Sequence, residues 1–92
     1  MYSVDMARAK IKMLFEKHPT VHVNVNLTHP KLNLQNVEIK IVGAYPHIFQ
    51  IEEYTEGKPK RHTLQYTDVV LNHIEIIELK QRYIYSFSAW EK

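Results

Sequence analysis

The chain has 92 residues, with 12 Lys and Arg against 10 Asp and Glu, a net charge of +2, and no cysteine. That length accommodates one domain, and the charge balance lacks the dense basic stripe of a dedicated nucleic-acid binder. The missing cysteine excludes a disulfide framework, a thiol nucleophile and a thiolate metal site, so packing has to hold the domain together.

Residues 3–17, SVDMARAKIKMLFEK, fit a helix. Ser3 is placed to cap it, and Asp5 suits the positive end of the helix dipole. Val4, Ala7, Ile11, Leu14 and Phe15 recur at three- and four-residue spacing and predict one apolar stripe. Arg8, Lys10 and Lys12 supply a basic face, and Pro19 predicts a sharp stop.

The period then changes to two. In TVHVNVNL (20–27) three valines and a leucine alternate with His22, Asn24 and Asn26, as in a half-buried strand. THPKLNLQN (28–36), with Pro30 and polar turn formers, reads as a loop. NVEIKIVG (36–43) resumes alternation through Val37, Ile39 and Ile41, and HIFQIEEY (47–54) predicts a third strand with Phe49 and Ile51 inward. TEGKPK (55–60) links it to RHTLQYT (61–67) as an antiparallel hairpin with Leu64 and Tyr66 on the core side. TDVVLN (67–72) predicts a single tight turn capped by Asp68. HIEIIEL (73–79) is a fifth strand whose phase changes at Ile76-Ile77, the mark of a bulge or a strand end. RYIYSFS (82–88) alternates again and predicts an aromatic tail or a sixth strand.

The expected fold is mainly β: an N-terminal helix (3–17), a small five-stranded antiparallel SH3-like or Sm-like barrel (20–79) and a C-terminal tail (80–92), all within a single domain spanning 1–92. No apolar run approaches a membrane span, and MYSVDMARAK is not a signal peptide, so the expectation is a cytoplasmic protein without membrane contact.

Site chemistry is sparse. The six histidines are scattered, with His18 and His22 separated by Pro19, and no metal-ligand spacing occurs. Glu52-Glu53 and Glu75/Glu78 are paired in sequence, yet a strand sends neighbours to opposite faces. No nucleophile elbow or glycine-rich phosphate cradle exists, so neither an enzyme nor a cofactor is expected. Two surface features stand out. Lys58, Lys60 and Arg61 on the hairpin, with Lys80 and Arg82 beside tyrosines, form a candidate contact for RNA, DNA or a protein partner. Tyr83, Tyr85, Phe87 and Trp90 form a candidate interface, which keeps a homodimer among the readings.

AYPHIFQI followed by LQYTDVVLNHIEI resembles the Veg family of small bacterial proteins, found mainly in Firmicutes. The matching positions are Tyr45, Pro46 and Phe49, then Tyr66, Asp68 and Val69, with Glu75 in the last strand, over roughly residues 37–79. The resemblance implies a helix leading into a small SH3-like barrel, and a non-enzymatic stimulator of biofilm formation that acts through transcriptional control by contact with a protein. The chain departs from the family at THPKLNLQN, which stands where a glycine- and arginine-rich segment is expected, and in its aromatic tail.

Overall fold

The computed structural model describes residues 3–54 and 57–81, the last two by backbone alone. Helix α1 spans Val4–Lys17; strands β1 and β2 span Thr20–Thr28 and Lys31–Ala44; β3 and β4 span Ile48–Glu53 and Lys60–Gln65. Helix α2 (Tyr66–Val70), strand β5 (Ile74–Ile76) and helix α3 (Ile77–Gln81) follow.

The first helix forms as the pattern predicts. Ser3 accepts the Met6 N–H at 3.2 Å, satisfying one of the four amides left open at a helix start. Ala7, Ile11 and Leu14 are buried against the sheet and Val4 partly so. Phe15 departs from the expectation and stays exposed at 37%: about 40° from Ile11 and about 100° from Leu14, it stands at the edge of the stripe. Among the described residues no helix is long and apolar enough to cross a membrane.

Residues 28–36 are not a loop. β1 and β2 form a hairpin around a two-residue turn, His29-Pro30, whose peptide bond is cis. The alternation of Leu32 and Leu34 belongs to the same strand as Val37, Ile39 and Ile41. It is out of phase because two β2 residues face one β1 residue between the pairs Val25–Leu34 and Val23–Val37. Asn36 takes φ +52° at this bulge, a left-handed conformation asparagine tolerates better than most residues.

The five strands form one antiparallel sheet in the order β4-β3-β2-β1-β5. β4 and β5 are its edges and do not pair with each other among the described residues, so the sheet is not closed into a barrel. β5 is only three residues long: the phase change at Ile76-Ile77 is a strand end, after which the chain turns into α3. The core is the inner face of this sheet, from Val21 and Val23 through Ile39, Ile41, Phe49 and Ile51 to Ile74, closed by α1 and by Tyr66 and Val69 of α2. Tyr66 is buried as expected, but from the first position of α2 rather than from a strand. Asp68 does not cap that helix. The capping position is Gln65, and the Asp68 carboxylate lies 3.1 Å from His73 Nδ1 while its carbonyl accepts the His73 N–H.

Candidate functional site

Residues Tyr45, Pro46 and His47 link β2 to β3, and the Tyr45 N–H donates to the Ile48 carbonyl at 2.9 Å to close the corner. Proline fixes φ and removes a donor, which suits the exposed middle of this connection. The remaining Tyr45 carbonyl accepts the Tyr66 hydroxyl at 2.6 Å. The Tyr66 ring in turn stacks on Phe49, with centroids 5.3 Å apart. Four of the motif residues therefore meet in one place: Phe49 and Tyr66 beneath, Tyr45 and Pro46 above.

Arg8 of α1 completes the arrangement. Its Nε donates to the Pro46 carbonyl at 2.7 Å, its Nη1 to Asp5 at 2.7 Å, and its guanidinium carbon lies 5.7 Å from the Tyr66 ring centroid. At that distance the cation is attracted to the ring face. Burial raises the Tyr66 pKa against the opposing pull of the Arg8 charge, so the hydroxyl remains a donor across the physiological range.

The corner is concave outside. A cavity of about 320 Å³ is lined by Arg8, Lys12, Ala44, Tyr45, Pro46 and Tyr66. Tyr45 is 48% exposed and lies over Gly43, where a Cβ would come within 2.6 Å of its ring. The absence of a side chain at Gly43 is what lets the ring lie down. The cavity thus offers an aromatic face, a proline and two cations in a frame fixed from below.

The other motif positions lie elsewhere. Val69 is a core residue, Asp68 is engaged with His73, and Glu75 of β5 accepts from Asn24 Nδ2 at 3.4 Å. In the basic hairpin, Lys58 and Lys60 are exposed, whereas Arg61 donates twice to Glu52, at 2.7 and 3.2 Å. Glu52 also accepts the Tyr54 hydroxyl at 2.7 Å, and these two partners, Tyr54 first, hold its pKa below the ordinary carboxylate value. Beside them His62 Nε2 meets Glu53, only 5% exposed, at 2.6 Å. Lys80 falls on α3, but its side chain lies outside the described residues, as do Arg82, Tyr83, Tyr85, Phe87 and Trp90.

Sequence reading placed Tyr45, Pro46 and Tyr66 in a motif but did not join Arg8 or Lys12 to them. Arg8 is 38 residues from Pro46, and only the crossing of α1 over the β2–β3 corner brings them together. The pairing of His22 with Glu78, 56 residues apart, likewise has no sequence signal. No family model matches the chain, and no curated protein or solved structure does so either.

Proposed function

We propose that this protein is a non-enzymatic cytoplasmic regulator of the Veg type, serving transcriptional control linked to biofilm formation. It acts by holding a carboxylate-bearing segment of a partner protein at the Tyr-Pro corner. The observation that carries the reading is the convergence of Tyr45, Pro46 and Tyr66 on one cavity rimmed by Arg8 and Lys12, with Phe49 stacked beneath Tyr66. Exposed tyrosine and arginine in a fixed frame are the residue types that dominate protein interfaces, because they present large contact area with little entropy left to lose. Arg8 is already paired with Asp5, so Lys12 is the cation that selects an acidic segment, and the ring and proline select an apolar residue beside the acid. A strand order that puts β1 between β2 and β5, with a short helix before β5, supports the SH3-like topology that the resemblance implies, as an open sheet.

The test is photo-crosslinking from a benzophenone amino acid in place of Tyr45, followed by mapping of the attached peptide and measurement of its affinity. The expected peptide contains Asp or Glu next to an apolar residue, and binds about tenfold more weakly to Lys12→Glu, the loss of a charge-assisted contact. A crosslinked peptide without an acid, or one bound equally well by Lys12→Glu, rules the corner out as an acidic-segment site.

A further inference from the structure

A second concavity shares no residue with the corner. It lies over β5, β1 and β2 on the side of the sheet away from the core and has a volume of about 530 Å³. Six carboxamides line it: Asn24, Asn26, Asn33, Gln35, Asn36 and Asn72. We propose that this groove binds neutral saccharides.

Half of these amides are accounted for by the fold, and they build rigid walls. Asn36 and Asn72 sit at φ +52° and +65°, where asparagine is favoured over other side-chain-bearing residues. Asn24 accepts the Asn36 N–H at 2.7 Å and donates to Glu75, which fixes its amide between two strands. The His73 carbonyl accepts the Asn26 N–H at 2.8 Å and the His73 ring is held by Asp68, so the loop before β5 is tied to the sheet. Polar groups held by a second layer of hydrogen bonds on a sheet are what a selective site requires.

Asn26, Asn33 and Gln35 are not explained in this way. Asn26 and Asn33 are direct partners across the β1–β2 ladder, all three are exposed, and any polar residue would serve the strands equally well. Together they present three carboxamides to the groove.

The lining selects the ligand by what it offers. A carboxamide places a donor and an acceptor side by side, which matches two adjacent hydroxyls that each donate and accept. Among the described residues no lysine or arginine lines the groove, so a phosphate chain finds nothing there to neutralise it. Among the described residues the aromatic ring in its lining is the His73 imidazole, which Asp68 holds, and no Phe, Tyr or Trp gives a base a broad stacking platform. The one carboxylate among the described lining residues, Glu75, is already engaged by Asn24. An uncharged polyol fits, and a lining without Phe, Tyr or Trp among the described residues makes its binding weak. This inference is independent of the reading of the Tyr-Pro corner.

The experiment is a nitrogen-15 NMR titration of the full chain with maltose, cellobiose and diacetylchitobiose to about 50 mM, a range that saturates a millimolar site. At least one sugar is expected to give saturable shifts confined to residues 24–26, 33–36 and 72–75, unchanged when salt is raised. The double variant Asn26→Ser, Asn33→Ser is expected to weaken that sugar about tenfold without moving the thermal midpoint, with Gln35→Ala as a second, single-site variant. No saturable shift with any of the three sugars overturns the proposal. So does saturation that is unchanged in both variants, or shifts that map to the corner instead.

Discussion

Tyr66 and Tyr45 are 21 residues apart in sequence, and the hydroxyl of the first donates to the backbone carbonyl of the second at 2.6 Å. A buried side chain thereby sets the position of an exposed loop. The link makes the Tyr-Pro corner a fixed feature of the surface, because the loop carbonyl is satisfied from within the core.

Tyr66→Phe tests that link directly. The ring still stacks on Phe49, but the Tyr45 carbonyl loses its partner in a part-buried setting. The expected cost is about 1–2 kcal/mol in urea unfolding, the usual range when one partner of a hydrogen bond is removed. Amide exchange is expected to accelerate at Tyr45, whose N–H bond to Ile48 closes the corner. Unchanged stability and exchange would show that the loop does not depend on the hydroxyl.

Gly43→Ala separates the surface from the fold. The added Cβ meets the outer part of the Tyr45 ring at 2.6–2.9 Å, and that ring is exposed enough to swing away. Unfolding free energy is therefore expected to change by less than about 1 kcal/mol, while partner binding at the corner falls with the ring displaced. A large loss of stability would mean that the ring is held more firmly than its exposure implies.

The clasp of α3 on β1 should depend on pH. His22 Nδ1 lies 2.7 Å from one Glu78 oxygen, and the His22 backbone N–H donates to the other at 2.8 Å. The hydrogen bond to Glu78 raises His22 above its ordinary 6.5 despite desolvation, with added help from the charges of Glu78 and Glu38. Burial pushes Glu78 up, but the bonds from the His22 side chain and backbone outweigh it and bring the carboxylate below its ordinary 4.5. The His22 contribution is fully present below pH 6.5 and is lost as pH rises through its raised folded value. The Glu78 contribution is present above pH 4.5 and is lost as pH falls through its lowered value. Protection of the α3 amides is thus expected to be greatest between pH 4.5 and 6.5 and to decline on either side. His22→Gln should remove the alkaline decline; a decline that persists in this variant would assign it to another group.

For the β3–β4 hairpin, weak and shallow nucleic-acid binding is expected. Arg61 is tied to Glu52, which leaves Lys58 and Lys60 as the exposed cations among the described residues of the hairpin. Two phosphate contacts give a slope of about −1.4 in log affinity against log salt for a single strand. Fluorescence anisotropy with single-stranded RNA at several salt concentrations measures it. A slope several times steeper would require more cations than the hairpin presents and would promote the nucleic-acid reading over protein contact.

Taken alone, the sequence determined the order of elements as far as β5, though not helix α3, and which way most side chains face. The stripe of Ala7, Ile11 and Leu14 and the alternation of Val21, Val23 and Val25 are local signals, because each periodicity is set by backbone geometry within one element. The phase change at Ile76-Ile77 and the stop before Pro19 were legible for the same reason, although a bulge and a strand end leave the same phase change. The β1–β2 hairpin was not, since a bulge at Asn36 inverts the phase and makes one long strand look like a loop followed by a short one. The open sheet, the joining of Arg8 to Pro46 and the grip of His22 on Glu78 were decided only in three dimensions. Each depends on which edges and faces meet after the chain has turned back on itself. Contacts of that kind rest on packing between distant segments, and no spacing along the chain encodes them.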